Sequence, residues 1–283
     1  YVTDLKMGDF EVYENGIKQE IALLRTVDEP FNVILLVDSS GSTSQQLDQI
    51  KSAAKEFIKQ MRERDKVMVI SFNDSVSVLC DFTGNVEVLD RAIDEIEAGE
   101  FTQVYEAVYT GIWEKFGQVE GRKAIILFSD GIDTASSEIQ REDTLDALLE
   151  SEDVIVYPLR YNTRPDVEKK LKLNGDYSTV RGDESSSEDG KRQKIIRELD
   201  LLYSGADDYL NELAELTGGR VERVDQLADL GMAFFRIAEE LRNQYLIAYY
   251  PIKTKLARRV FEVKINRPGC QARVRPGFKV RTQ

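Results

Sequence analysis

Short apolar runs alternate along the chain with segments in which apolar residues recur every three or four positions. Runs without polar alternation are typical of parallel strands covered on both faces, and they lie at residues 31–38, 67–72, 122–129 and 154–157. Helical spacing follows the first run, at Leu47, Ile50, Ala53, Ala54, Phe57, Ile58 and Met61. The alternation predicts an α/β fold with a doubly wound, mostly parallel sheet. Residues 76–80 alternate polar and apolar positions, which predicts one antiparallel edge strand.

Both ends of the chain have the period of two that is typical of antiparallel strands. Residues 9–13 alternate, Glu14-Asn15-Gly16 favours a hairpin turn, and residues 17–24 supply a return strand. Three further strands are predicted at residues 245–249, 260–265 and 270–274. Because a lone hairpin is marginally stable in water, we expect the segment 1–30 to pair with the segment 243–283. Together they would form one compact antiparallel module beside a central domain of residues 31–242.

Residues 161–205 interrupt this regularity within the central domain. They carry few apolar residues, which predicts a long polar insertion that is partly mobile. The run Arg181-Gly182-Asp183 spells an integrin-binding tripeptide, but three residues in a polar loop are best interpreted as a coincidence. Regular structure is expected again in a helix at residues 207–216, ended by Gly218 and Gly219. A last helix has a core-facing stripe at Leu227, Leu230, Phe234, Ile237 and Leu241.

Composition excludes several classes of function. The 283 residues include 38 lysines and arginines against 51 aspartates and glutamates, and the resulting net charge of −13 disfavours binding to nucleic acids or anionic membranes. The chain has no histidine, which excludes Ser-His-Asp and Cys-His catalysis and histidine-bearing zinc sites. No apolar stretch reaches the roughly 18 residues expected of a membrane span. Cys80 and Cys270 either form a disulfide or remain as two buried thiols.

The start of the chain bears on where the protein is located in the cell. The chain begins without methionine and without a basic-then-apolar leader. We therefore expect a signal segment that was removed or trimmed, and an extracytoplasmic protein that is secreted or periplasmic.

Oxygen-bearing side chains follow two predicted strands and precede one helix. Asp38, Ser40 and Ser42 follow the first run, Asp130 ends the run that starts at residue 122, and Thr102 precedes a helix with apolar residues at Val104, Val108, Ile112 and Phe116. If the two strands are neighbours, all five side chains meet at the carboxyl edge of the sheet, where α/β folds place their ligands. Carboxylates and hydroxyls are hard donors, so the set predicts a site for Mg²⁺, with Mn²⁺ or Ca²⁺ as alternatives.

The same residues also have a simpler interpretation, because aspartate and serine are favoured at helix N-caps. Asp38, Ser40 and Ser42 alone do not distinguish a cap from a metal site. The second carboxylate favours the metal, since clustered carboxylates without a cation repel each other and raise one pKa. For Asp133, in the loop after Asp130, a cap of the following turn is favoured over a supporting role beside the metal.

These three segments resemble the metal-ion-dependent adhesion site (MIDAS) of von Willebrand factor type A domains, in the family's order and approximate spacing. The resemblance implies that Ser40, Ser42 and Thr102 supply hydroxyl ligands and that Asp38 and Asp130 act directly or through water. It also implies that a glutamate or aspartate of a partner protein completes the metal shell. The family usually has glycine just before or near the threonine, whereas here residue 101 is a phenylalanine and the glycine is residue 99.

The two chain ends resemble bacterial VWFA-related domain proteins of acidobacterial type. The matching segments are residues 2–5, 9–16, 19–21, 244–251 and 274–278. With the three site segments, they extend the resemblance over nearly the whole chain. This subfamily implies the fold and the metal far more than it implies a biological role.

Three hypotheses for function follow. The first is a metal-dependent, adhesion-type module in which the cation accepts an acidic residue of a protein partner. The second is a structural component of an envelope assembly with a weak or empty metal site. The third is a hydrolase whose ion activates water. We favour the first and expect no enzyme, because the sequence offers neither a general base beyond the proposed ligands nor a phosphate-cradling Gly-Lys-Ser/Thr loop.

Overall fold

The computed structural model describes residues 1–151, 153–171, 188–251 and 258–279. Its strands are β1 (Phe10–Glu14), β2 (Ile17–Gln19), β3 (Ile21–Thr26), β4 (Phe31–Asp38), β5 (Lys66–Phe72), β6 (Val76–Thr83), β7 (Arg122–Ser129), β8 (Val154–Tyr161), β9 (Glu222–Val224), β10 (Tyr245–Tyr249), β11 (Arg258–Ile265) and β12 (Gly277–Lys279). Its α-helices are α1 (Leu47–Ile58), α2 (Val86–Asp94), α3 (Val104–Tyr109), α4 (Arg141–Glu150), α5 (Arg164–Lys170), α6 (Glu188–Thr217) and α7 (Leu230–Arg242). Helix α3 continues into a π-helical segment, Thr110–Lys115.

The central sheet has six strands in the order β6-β5-β4-β7-β8-β9. All neighbours are parallel except β6, which pairs antiparallel with β5 at one edge. The predicted α/β fold with a mostly parallel sheet and an antiparallel edge strand is confirmed. Within it, β4 and β7 are adjacent, and Val37 pairs with Phe128. Asp38 and Asp130 therefore leave the sheet at the same carboxyl edge.

Helices cover both faces of this sheet, which explains why β4 has no polar alternation. Val33, Leu35 and Val37 face the layer built from α1, α2 and α7. Ile34 and Leu36 face the layer built from α3, α4 and α6. All five side chains are at most 1% exposed. Because each such burial contributes about 1.5–3 kcal/mol, the sheet is a firm base for the loops at its edge.

The two chain ends pair with each other as predicted, through two antiparallel sheets. One sheet has the order β12-β11-β1-β2, and β3 pairs with β10 in a separate two-stranded sheet. The β1–β2 hairpin turns at Asn15 and Gly16, whose φ angles of 50° and 77° suit the predicted tight turn. The boundaries 1–30, 31–242 and 243–283 stay a prediction as a division into domains.

The strand predicted at residues 270–274 is wrong, since the third C-terminal strand is β12. The preceding residues instead pack on the central domain. The guanidinium of Arg275 donates hydrogen bonds to the carbonyls of Leu148 and Ser151 at the end of α4. The backbone of Arg275 also passes so close to Gly218 that a Cβ there would lie 2.7 Å from its nitrogen. The chain at Val274 and Arg275 is thus held against Gly218 and the end of α4.

The boundary predicted for the polar insertion at 161–205 is also wrong. Helix α5 lies inside it, and α6 begins at Glu188, well before residue 207. The reason is a short apolar stripe on α6, in which Leu199, Tyr203 and Ala206 pack on Ile132. Helix α6 ends before Gly218, whose φ of +74° suits the predicted glycine cap. The most polar part, residues 172–187 with the Arg-Gly-Asp run, lies outside the described residues.

Two smaller expectations concern the thiols and the membrane. Cys80 and Cys270 are both free thiols, each partly exposed, so the disulfide alternative is wrong. Over the described ranges, no helix combines the length and apolar character that a bilayer crossing requires.

Candidate metal centre

The first site loop begins at Asp38, the last residue of β4, and is folded by its own hydrogen bonds. The backbone N–H of Ser40 donates to Asp38 Oδ1 at 3.0 Å. The Thr43 hydroxyl lies 3.1 and 3.0 Å from the carbonyl oxygens of Asp38 and Ser40 and shares its one proton between them. This turn places the Oγ atoms of Ser40 and Ser42 3.0 Å apart. Asp38 and Ser40 are buried, whereas Ser42 is half-buried.

The loop after β7 joins the first loop through side chains. The Ser129 hydroxyl donates to Asp38 Oδ2 at 2.7 Å and accepts the Gly131 N–H at 3.0 Å. Asp130 Oδ1 accepts the N–H of Ile132 at 3.0 Å, and the Ser42 hydroxyl is close enough to oppose the rise in the pKa of Asp130. Asp38, Ser40, Ser42 and Asp130 are thus brought together as one group.

Thr102 reaches this group through backbone contacts of its loop. Its N–H donates to Thr134 Oγ1 at 2.9 Å, and its carbonyl accepts the N–H groups of Thr134 and Ala135 at 2.9 and 3.0 Å. On the other side, the N–H of Gly99 donates to the Ser39 carbonyl at 2.8 Å. Buried Thr102 therefore lies in a loop that touches both of the others.

Asp74 holds the backbone of the Thr102 loop at Phe101, where the family usually has a glycine nearby. Its carboxylate accepts the N–H groups of Glu100 and Phe101 at 3.2 and 2.7 Å. The backbone before Thr102 is therefore held by a side chain of a different loop. The Phe101 side chain points outward and is 53% exposed.

Burial dominates the electrostatics of the two carboxylates. It raises the pKa of Asp38 to about 7, helped by the negative charge of Asp130 and opposed by hydrogen bonds from Ser129 and Ser40. Burial likewise raises the pKa of Asp130, against hydrogen bonds from Thr163 and Ile132 and the charge of Arg160. Arg160 forms its own ion pair with Asp207 at 2.6 Å. Two buried acids so close together are costly to ionise unless a cation neutralises them.

The donor set fits a small hard cation. Adjacent ligands of an octahedral Mg²⁺ at 2.0–2.1 Å are about 3.0 Å apart, which is the observed separation of the two serine Oγ atoms. Here the two serine hydroxyls, at this separation, form a hydrogen bond with each other. Among the described residues, no group of three or more histidine, cysteine, aspartate or glutamate side chains is arranged to hold a metal. This centre instead combines the carboxylates of Asp38 and Asp130 with the hydroxyls of Ser40 and Ser42, and the loop of Thr102 lies beside it.

Several contributing residues were not predicted from the sequence. Ser129 directly precedes Asp130, so its place at a strand end was the available signal. Thr163 and Tyr203 lie in the segment interpreted as a polar insertion, and no sequence signal marked them as part of the site. Asp133 was interpreted mainly as a cap, and it does accept the Ser136 N–H at 2.9 Å. It also accepts the Tyr105 N–H at 3.0 Å, which ties the start of α3 to its loop.

The region that carries the candidate metal centre matches a known protein family. Residues 33–132 match the sequence model described as von Willebrand factor type A domain. A curated relative, an uncharacterized protein of Synechocystis, is 32% identical over 106 residues. That match covers 36% of this chain and 25% of the relative.

Solved structures with low sequence identity share the fold. A von Willebrand factor type A protein from Catenulispora acidiphila superposes with a TM-score of 0.54 at 14% identity, over 83% of this chain and 50% of that one. Proximal thread matrix protein 1 of the mussel byssus, in a structure with a zinc-occupied MIDAS motif, has a TM-score of 0.53 at 13% identity. That match covers 77% of this chain and 49% of the mussel protein. The chain thus spans a quarter to a half of these relatives.

Proposed function

Because the chain contains a von Willebrand factor type A domain, we propose that the carboxyl edge of its sheet is a MIDAS-type site that binds one divalent cation. Mg²⁺ is the proposed ion, with Mn²⁺ or Ca²⁺ able to replace it. When bound, the ion supplies an electrophilic centre for a carboxylate of a partner protein. The residues that would hold it are Asp38, Ser40, Ser42, Thr102 and Asp130.

One observation carries this proposal: two buried carboxylates share a site with two serine hydroxyls. Asp38 and Asp130 are 0% and 3% exposed, and the charge of Asp130 acts directly on Asp38. A purely structural pair of this kind would be expensive, because uncompensated buried charge costs several kcal/mol. A divalent cation removes that cost and uses the oxygen atoms already assembled there.

The overall charge supports a bridging role for the cation. A chain with a net charge of −13 repels an acidic partner unless a cation lies between them. The half-buried Ser42 and the exposed Phe101 beside Thr102 mark the accessible side of the centre. We propose that the partner's carboxylate approaches from this side, and we assign the centre a binding role without a catalytic step.

Calorimetric titration of the metal-free chain with Mg²⁺ and with Mn²⁺ tests the ion. We expect one site in the wild type and a loss of at least about tenfold in affinity for Ser42→Ala and for Asp130→Ala. Ser44→Ala is the matched control, because this exposed serine in the same loop donates only to the Gly41 carbonyl at 3.0 Å. Unchanged binding in Ser42→Ala and Asp130→Ala would contradict the assignment.

Affinity capture from a native extract tests the partner. We expect proteins that the immobilised wild type retains in Mg²⁺, that a chelator releases, and that Ser42→Ala does not retain. Ser44→Ala should retain the same proteins as the wild type. Retention that persists in chelator would contradict a metal-bridged interaction and would favour a purely structural assembly role.

A further inference from the structure

A buried threonine outside the five proposed ligands holds the carboxylate of Asp130. The Thr163 hydroxyl donates to Asp130 Oδ2 at 2.5 Å. Thr163 follows β8, directly precedes α5 and is 0% exposed. The second oxygen, Oδ1, accepts the N–H of Ile132. Both oxygens of Asp130 therefore have a fixed partner on the protein side.

Thr163 has a second hydroxyl partner on another helix. The Tyr203 hydroxyl on α6 lies 2.9 Å from Thr163 Oγ1, and Tyr203 is 5% exposed. A threonine hydroxyl has one proton, and an ionised carboxylate only accepts hydrogen bonds. With Asp130 ionised, Thr163 donates to Asp130 and Tyr203 donates to Thr163. The two hydroxyls form a directed chain that ends on the carboxylate.

An apolar cluster fixes the far end of this chain. Tyr203 packs with Leu199 and Ala206 of α6 against Ile132, the residue whose N–H bonds to Asp130. The same helix therefore supports the carboxylate through a hydrogen-bond chain and supports its loop through packing. Neither Tyr203 nor Thr163 contributes to the main core clusters on the two faces of the sheet.

Helix α5 also reaches the first site loop. Asp166 accepts a hydrogen bond from Gln46 Nε2 at 3.0 Å. The Lys170 ammonium donates to the Gly41 carbonyl at 3.2 Å. Residues 163–170 thus touch the loops that carry Asp38 and Asp130, and they form a wall on one side of the centre.

We propose that Thr163 and Tyr203 are positioning residues of the metal centre, which orient the Asp130 carboxylate through their hydroxyl chain. This inference rests on the proposed cation site. The physical reason is that a carboxylate whose protein-side lone pairs are already bonded keeps one orientation, with its remaining lone pairs free for the cation or its water. Substituting such supporting groups typically lowers metal affinity about 10- to 100-fold.

The chain offers a matched control on the same helix. Tyr209 of α6 also bonds a buried threonine, with its hydroxyl 3.1 Å from Thr144 Oγ1. This pair has the same chemistry, but it packs in the core layer on one face of the sheet, and the hydrogen-bond partners of the Asp130 carboxylate are Thr163 and Ile132 instead. Tyr209→Phe therefore reports what the loss of a buried tyrosine hydroxyl on α6 does to the fold alone.

Mn²⁺ titration calorimetry, together with urea unfolding in chelator, tests the proposal on Thr163→Val, Thr163→Ser, Tyr203→Phe and Tyr209→Phe. We expect an affinity loss of about tenfold or more for Thr163→Val. A smaller loss is expected for Tyr203→Phe, near-wild-type affinity for Thr163→Ser, and none for Tyr209→Phe. Unfolding in chelator shows whether each variant is folded and separates lost stability from lost affinity.

Three outcomes overturn the proposal in distinguishable ways. If the wild type binds Mn²⁺ and both Thr163→Val and Tyr203→Phe bind it equally well, the positioning role is refuted and the metal site stands. If Tyr209→Phe lowers affinity as much as Tyr203→Phe, the effect belongs to helix α6 in general and the positioning role is again refuted. If the wild type binds neither Mn²⁺ nor Mg²⁺, the proposed function and this inference fall together.

Discussion

Replacing Asp38 by asparagine should stabilise the metal-free protein near pH 8 while abolishing its response to Mg²⁺. Asparagine keeps the shape of the side chain and can still accept the Ser40 N–H, as Asp38 Oδ1 does at 3.0 Å. It removes a negative charge that is buried beside Asp130. In the metal-free state that charge opposes folding, so removing it should raise the free energy of unfolding.

The size of the gain follows from the pKa of Asp38. Burial and Asp130 raise it from 3.8 to about 7, which corresponds to about 4 kcal/mol of cost for the ionised form in the folded state. Because the folded-state pKa lies above the unfolded one, stability is greatest below about pH 4 and is lost as the pH rises through about 7. Asparagine forfeits the carboxylate's bond from Ser129, worth about 1–2 kcal/mol. We expect a net gain of about 2 kcal/mol at pH 8.

Urea unfolding in chelator at pH 8 and pH 5, followed by far-UV circular dichroism, measures this gain. The advantage of Asp38→Asn over the wild type should shrink by about 2–3 kcal/mol at pH 5, where folded wild-type Asp38 is protonated. Asp65→Asn is the control. Buried Asp65 accepts the N–H groups of Phe31 and Arg62 at 2.8 and 2.9 Å, at the amino edge of the sheet. It should show no gain at pH 8.

The opposite result would refute the electrostatic argument. If Asp38→Asn in chelator is no more stable than the wild type at pH 8, the two carboxylates do not strain the metal-free fold. If the variant is more stable but Mg²⁺ still raises its unfolding free energy as in the wild type, Asp38 does not contribute to cation binding.

Three further outcomes follow from the same structure. Gly219→Ala should lower the free energy of unfolding in urea by more than about 2 kcal/mol, because a Cβ there would lie 1.9 Å from the Val156 carbonyl oxygen. Gly205→Ala is the control: Gly205 has open space around it inside α6, so this change should raise the free energy of unfolding by about 0.5–1 kcal/mol. Equal effects of the two substitutions would contradict this packing. Arg259→Ala should lower the free energy of unfolding by about 3 kcal/mol, because it removes the 2.7 Å ion pair of the buried Glu14 carboxylate. A loss below about 1 kcal/mol in the same assay would contradict that role. Mg²⁺ at about 100 times its Kd should raise the wild-type unfolding free energy by about 2.7 kcal/mol, an increase that chelator reverses and that Ser42→Ala lacks.

The sequence alone determined the sheet and the edge where the candidate ligands lie. Apolar runs such as 31–38 have a local signature, because a strand covered on both faces needs an apolar residue at every position. The carboxyl ends of parallel strands meet at one edge, so the sequence predicted that Asp38 and Asp130 lie together if their strands are neighbours, and the pairing of β4 with β7 supplies that condition. The turn at Asn15-Gly16 and the cap at Gly218 were equally local, since each depends on a backbone conformation that few residues tolerate.

Only the tertiary structure decided what supports that edge. Thr163 lies 33 residues from Asp130 and 40 from Tyr203, and a hydrogen bond across such distances leaves no period in the sequence. Helix α6 was predicted too short because its first half packs on Ile132 through a few apolar positions among many charges. The strand expected at 270–274 is absent, and the chain at Val274 and Arg275 instead passes against Gly218 while Arg275 bonds to the end of α4. Local patterns fix where strands and turns form, whereas the choice among competing long-range partners is made by the packed chain as a whole.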